Sequence, residues 1–296
     1  MSSLRLLLSH QASLSDGGEL YIIPLGVTLR ERLADPRMWD AAHPPGSGWF
    51  AYANINFPVA ASVMERVSGE RFDRLMQRLV LRPLGLDACF NWGDGCSAQA
   101  VSRAAVLYRA TGEVARDDLN GQRPPCPVVV QEGAACDLST YRPGDNGALF
   151  SPQGGLRIAM IDLAKLGQLL ARRGAGFLSP RAFAELTGTA WQFNGSNDLG
   201  EDGTASGFFC SYGLALHRIG SGGSGCHDDL FADRRRRIGH AGDAYGLKSG
   251  LWVDPVTGKG LAYFTTSVAA AAPTGRSAFT AREETVVERA GSAPFR

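Results

Sequence analysis

No apolar run in the 296 residues comes near the roughly 18 to 20 that a membrane-spanning helix requires, so no span is expected. Neither sign of charge is in excess. Thirty Lys and Arg stand against 29 Asp and Glu, and a net +1 removes any global pull toward nucleic acid or an anionic membrane. The one basic run, Arg234 to Arg237, sits close to Asp228, Asp229 and Asp233 and reads as the solvated approach to a strand. C-x-x-C and Cys/His ligand spacings are missing, which argues against a zinc site; no metal and no cofactor is expected. Gly220 to Gly225, "GSGGSG", matches G-x-G-x-x-G in letters only. The next residues are "CHDDLFADRRRR" rather than an apolar helix, so the helix N-terminus that would hold a nucleotide phosphate is lacking. The opening "MSSLRLLLSH" is too short in its apolar run for a signal peptide and has no small-residue cleavage site after it.

Lysine is scarce. There are three, at positions 165, 248 and 259, and the residues three before them are Asp162, Tyr245 and Val256. The sequence therefore contains no Ser-x-x-Lys, and it has no G-x-S-x-G elbow either.

What is present suits a globular chain with an ample core, as one large domain or two modest ones: 44% apolar and 20% charged residues. Six cysteines fall as sequence neighbours, Cys89 and Cys96, Cys126 and Cys136, Cys210 and Cys226. The even count points toward disulfides and an oxidising compartment, although six cysteines allow about fifteen connectivities and reduced thiols are the competing reading. Residues 1–204 read as a mainly helical region with long loops. A first helix carries Leu4, Leu7 and Leu8 on one face and is capped by Ser2 or Ser3. Asn56 caps a second, with Pro58 in its first turn, Ala60, Val63, Met64 and Val67 on its apolar face, and Gly69 at its end. Phe72, Leu75, Met76 and Leu79 continue the pattern to Pro83. Residues 86–150 have little periodicity and read as a disulfide-braced loop region that lines a cleft. Leu163, Leu166 and Leu170 mark another helix, and Ser179-Pro180 opens a short one. Residues 205–296 change period: "SYGLALHRI", "LKSGLWVD" and "GLAYFTTSV" alternate as strands, "PVTGKG" joins the last two as a hairpin turn, and "TAREETVVERA" is a final helix. The class expected is α+β, a helical region followed by antiparallel strands and a final helix in two layers or lobes.

Tyr52-Ala53-Asn54 comes after the turn "HPPGSG" and precedes an amphipathic helix, and by itself the triplet means little. Its setting, "PPGSGWFAYANINFPVAASVMERVSGERFDRLMQRLVLRPLGL", resembles the β-lactamase-related serine hydrolases, which include class C β-lactamases, DD-peptidases and family VIII esterases. "LRLLLSHQASLSD", "LFSPQGGLRIAMIDLAKLGQLL" and "GHAGDAYGLKSGLWVDPVTGKGLAYFTT" are similar to three further segments of that family, in the same order. The resemblance implies a β-lactamase/transpeptidase-like fold and acyl transfer on a small-molecule ester, amide or β-lactam carbonyl. It makes Tyr52 the proton shuttle and has Asn54 hold the substrate carbonyl or amide. His240 would line the opposite wall with hydrogen bonds or positive charge, and the backbone N–H of Asp243, after Gly242, would be the strand's half of the oxyanion hole. Asp243 departs from the small residue usual there, and its carboxylate opposes a developing oxyanion unless it points away.

The family's nucleophile is the serine of Ser-x-x-Lys, expected before the segment matched by Leu4 to Asp16 and hence before Met1. Ser9, Ser13 and Ser151 lie near matched segments, but none has a lysine in helical register. This leaves two expectations. One is an N-terminally truncated hydrolase, its full-length form periplasmic or secreted, with the N-terminal part of the sheet domain missing; such a chain would expose a sheet edge and apolar surface and self-associate. The other is a scaffold that binds a peptide or acyl ligand without reaction.

Overall fold

In the computed structural model the described residues are 3–198 and 207–292. They form two compact units. The first comprises residues 1–104 and 119–159, the second 105–118 and 160–296. The boundary expected at 204/205 lies outside the described residues, as does Ser2.

Helix α1 (Leu4–Leu8) of the first unit starts at Ser3, whose hydroxyl accepts the Leu6 N–H. Only part of the expected face is inside: Leu7 is buried, whereas Leu4 is exposed. Helix α2 (Leu29–Leu33) has a capping box, Thr28 accepting the Glu31 N–H while the Glu31 carboxylate accepts the Thr28 N–H. Helix α3 (Asn56–Ser68) ends at Gly69 in the left-handed conformation, φ 69°. Leu7, Leu14, Leu29, Met38 and Ile55 close one apolar cluster between α1, α2 and the start of α3. Burying one such side chain is worth about 1.5 to 3 kcal/mol.

Two details of α3 correct the sequence reading. Asn56 is its first residue rather than its cap, since the N-cap, Ile55, makes no side-chain cap bond. Nor is the Val63–Val67 stripe internal: Val67 is 84% exposed, and the inward face instead carries Ala60, Ala61, Ser62 and Glu65. Glu65 is 1% exposed. Its carboxylate accepts the Phe72 N–H at 2.7 Å, the Gly144 N–H at 2.8 Å and the Tyr141 hydroxyl. Three donors make burial tolerable, yet burial still raises its pKa.

Helix α4 (Phe72–Met76) passes into one π turn, Gln77–Leu81, before Pro83. Then come β1 (Cys89–Phe90) and α5 (Ala98–Ser102). The 86–150 stretch is short in regular structure and is braced by Cys89–Cys96 and Cys126–Cys136, the nearest-neighbour pairing. It also contributes β2 (Leu107–Tyr108) and β3 (Val114–Arg116) to the second unit, as a small antiparallel hairpin. Strand β4 (Leu156–Arg157) returns to pair with β1.

The second unit continues with α6 (Met160–Ala171) and α7 (Pro180–Thr187), the latter capped by Ser179 through the Ala182 N–H. Its sheet runs through β5 (Trp191–Gln192), β6 (Ser211–Tyr212), β7 (His217–Ile219), β8 (Arg237–Ala244), β9 (Leu247–Val253) and β10 (Gly260–Thr265). Every neighbour is consecutive and antiparallel, in the order β10-β9-β8-β7-β6-β5. "SYGLALHRI" is thus two strands with a turn between them, where Ala215 has φ 54°, and not one strand. β8 and β9 are joined by Tyr245 and Gly246, both at positive φ, a two-residue turn whose twist matches its strands. Alternation sets the faces of β9. Trp252 packs with Phe279 and Val287 beside helix α8 (Ala281–Ser292), while Val253 packs with Phe183 and Leu170 of α7 and α6. Helices therefore cover both faces, and the fold is α+β. The third disulfide, Cys210–Cys226, lies in this unit. Among the described residues no helix is long and apolar enough to cross a membrane.

Candidate active site

Tyr52 and Asn54 sit in the loop that enters α3, and two residues of the segment after α1 fasten that loop. His10, in a left-handed conformation just beyond α1, receives the Ala51 N–H on its carbonyl at 3.0 Å and the Ala53 N–H on Nδ1 at 3.1 Å. The Asn56 amide lies 3.2 Å from the same nitrogen. A ring nitrogen that accepts carries no proton, so His10 is neutral in this arrangement. Its ring lies against the Tyr52 phenol, centroids 4.3 Å apart and 25° from parallel. Asp16 completes the hold: one oxygen accepts the Asn54 N–H at 2.9 Å and the Asn54 side-chain amide at 2.7 Å, the other the Ile55 N–H at 2.9 Å. A carboxylate from 38 residues upstream thus satisfies the backbone at the mouth of α3, which is why Asn56 need not cap it. His10 and Asp16 were not identified from sequence. The sign that could have found them is two polar residues in a segment otherwise read for its leucines.

His240, Gly242 and Asp243 lie together on β8 of the second unit. One ring nitrogen of His240, Nδ1, faces the Ala241 carbonyl and must donate to it; Nε2 then accepts the Tyr212 hydroxyl at 2.7 Å. Behind it stands His217, fully buried, whose Nε2–H donates to the Phe208 carbonyl at 3.0 Å. Burial lowers the pKa of both histidines, and the nearness of His240, which disfavours a second proton, lowers that of His217 further. The pair is held neutral near pH 7, with both His240 nitrogens engaged. Gly242 faces Ser249 across the hairpin, and Asp243 faces Lys248. The Asp243 carboxylate is ion-paired with the Lys248 ammonium at 2.5 Å, so its charge is turned along the hairpin and compensated there. Beyond it the Arg116 guanidinium lies over the Tyr245 ring at 5.2 Å, placing the β2–β3 hairpin beside this turn.

The structure thus gathers Tyr52 with Asn54 in one loop, and His240, Gly242 and Asp243 on one strand. Two of the three serines near the matched segments are otherwise occupied: Ser9 donates to the Arg5 carbonyl at 2.8 Å and Ser13 to that of His43. Lys165 is ion-paired with Asp162 at 2.6 Å. No group of three or more metal-ligating side chains occurs among the described residues.

Similar folds are known. The family model described as Beta-lactamase matches residues 2–284. No curated protein matches the chain. Among solved structures, a D-amino acid amidase from Ochrobactrum anthropi SV3 is similar at 16% identity and a TM-score of 0.59, over 98% of this chain and 73% of that one. An octameric penicillin-binding protein homologue from Pyrococcus abyssi is similar at 18% and 0.58, over 98% and 56%. A class C beta-lactamase matches at 11% and 0.56, over 100% and 70%. The chain spans 56% to 73% of the length of these relatives, and at such identities the likeness is one of fold. With the family model matched over nearly its whole length, the chain belongs to the beta-lactamase family.

Proposed function

We propose that these residues carry the tyrosine half of a serine hydrolase that works by acyl transfer, its serine and lysine being supplied by residues outside the 296. The observation that carries this reading is the Tyr52–Asn54 loop, fixed in place by His10 and Asp16 at four backbone N–H groups. In that reaction the serine oxygen attacks the substrate carbonyl, Tyr52 takes the hydroxyl proton and delivers it to the leaving group, and Asn54 steadies the carbonyl or amide of the substrate. A tyrosine ordinarily keeps its proton until about pH 10, so it needs a cation beside it to act as base. The neutral His10 ring is not that cation; the lysine of Ser-x-x-Lys fits the need.

On the second unit the neutral His240 offers no charge to a substrate carboxylate. That favours uncharged esters and amides over β-lactams. The Asp243 backbone N–H, its carboxylate compensated by Lys248, serves the oxyanion. Three disulfides favour a periplasmic or secreted protein. Self-association is part of the same proposal.

A second reading, a ligand-binding scaffold without catalysis, is favoured by the lack of Ser-x-x-Lys in the 296 residues. Expression with and without the upstream coding segment separates the two. The expected result is a serine-linked acyl adduct by mass spectrometry, from a p-nitrophenyl ester more readily than from penicillin, only when an upstream Ser-x-x-Lys is present. Turnover by the 296 residues alone, or an upstream sequence without the motif, would overturn the hydrolase reading.

A further inference from the structure

At the end of the sheet where β8 begins, the second unit holds a cavity of about 350 Å³. Arg218 of β7, and Arg235, Arg236 and Arg237 at the start of β8, line it, with Asp254 the only acidic residue among the described residues of its wall. The charges do not cancel. Arg235 is paired with Asp254 at 2.5 Å, and the other Asp254 oxygen is taken by the Val256 and Thr257 N–H groups of the next turn. Arg237 is paired with Asp233 at 2.7 Å and lies over the Phe231 ring. Among the described residues this leaves Arg218, which donates only to the neutral Thr187 carbonyl, and Arg236, which makes no hydrogen bond or ion pair.

Two uncompensated guanidinium groups in one recess repel each other. The repulsion is felt: burial, and then the Arg236 charge, lowers the pKa of Arg218. Guanidinium pairs are the side chains best suited to a doubly charged tetrahedral oxyanion, because each presents a planar fork of N–H donors to two of its oxygens. The Ser211 hydroxyl and the Gln192 amide lie in the same wall and give the recess a polar lining.

We infer that this recess is an anion site for a small dianionic phosphate group, held chiefly between Arg218 and Arg236. It is separate from the residues assigned to acyl transfer and does not depend on that assignment. The arginine run read from sequence as a solvated approach to a strand divides into two roles: Arg235 and Arg237 tie the chain down, and Arg236 faces the ligand. The "GSGGSG" stretch takes part only through Ser221 at the rim, whose hydroxyl is already given to Asp228 at 2.8 Å.

The test is calorimetric titration of the 296-residue chain at pH 7 and low salt with three probes: inorganic phosphate, glycerol phosphate and vesicles containing a phosphatidic acid. Saturable binding at about one site per chain supports the inference, and the relative strengths of the probes tell a free phosphate from an organic monoester or a lipid headgroup. Arg236→Gln, an exposed position with no internal partner, is expected to keep the circular dichroism spectrum and lose at least tenfold in affinity. Arg234→Gln, outside the recess, is expected to bind as the parent does. No saturable binding by any probe, unchanged binding by Arg236→Gln, or an equal loss in Arg234→Gln would each overturn it.

Discussion

The His10 imidazole lies nearly parallel to the Tyr52 phenol while its Nδ1 accepts the N–H of Ala53, the residue next to that tyrosine. One side chain thus sets both the ring and the backbone at Tyr52. Asp16 does the same for Asn54. Replacing Asp16 by Asn turns an acceptor-only group into one with N–H donors aimed at N–H donors. Thermal or urea unfolding is expected to show a loss of about 1 to 3 kcal/mol for Asp16→Asn, with His10→Phe, which keeps the stack but not the acceptor, at the lower end. A neutral outcome for both would mean the loop holds itself.

The buried histidines make stability depend on pH, with a definite sign. His217 has its pKa depressed by burial, so below the ordinary value near 6.5 the unfolded chain binds a proton that the folded chain refuses. Stability contributed by the neutral ring is fully present above about pH 6.5 and falls as pH drops below it, by about 1.4 kcal/mol per pH unit. Glu65 and Asp228 have raised pKa values and act in the opposite direction, so the comparison must be between variants. His217→Gln is expected to show a flatter dependence of unfolding free energy between pH 7 and 5.5 than the parent, read from denaturant titrations at each pH. Parallel curves would show that His217 takes up no proton on unfolding.

Two glycines on β8 are needed for different reasons. A Cβ on Gly239 would run into the Leu251 carbonyl of the next strand, which cannot move without breaking the ladder. A Cβ on Gly242 would meet only the Ser249 hydroxyl, a group that can rotate or be removed. Gly242→Ala is therefore expected to cost about 1 to 2 kcal/mol and to be largely rescued by Ser249→Ala, whereas Gly239→Ala costs more and is not rescued. Chemical denaturation of the four variants checks this.

Peptide mapping without reduction is expected to recover Cys89 with Cys96, Cys126 with Cys136, and Cys210 with Cys226. Opening any one of them, by paired Cys→Ser replacement, is expected to lower stability by about 3 kcal/mol on the chain-entropy account, most for the 16-residue separation. Crossed pairs in the map would contradict the bracing of the 86–150 loops.

Where the chain supplies its own local partners, the sequence was readable. Ser179 with Pro180 opens α7, the turn "PVTGKG" joins β9 to β10, and "TAREETVVERA" runs into α8. It was unreadable where the partner is distant. The cap of α3 comes from Asp16, and the inward face of α3 tolerates Glu65 because Tyr141 and Gly144, some 76 and 79 residues on, bring donors to it. Alternation failed at "SYGLALHRI" because a period of two runs on through a turn that only the φ of Ala215 betrays. For the candidate site, Tyr52, Asn54 and the β8 residues were found as letters of a motif. Their supports, His10, Asp16, Tyr212 and Lys248, are contacts that no spacing encodes.

The β2–β3 hairpin has a consequence for biosynthesis. Residues 105–118 belong to the second unit, yet they leave the ribosome before the rest of it, and the turn against which Arg116 rests, at Tyr245 and Gly246, lies well over a hundred residues downstream. At about 5 to 20 residues per second the hairpin waits roughly 6 to 26 seconds for its neighbour. During that interval the first unit must fold around a tethered excursion, and no single cut of the chain yields both units whole.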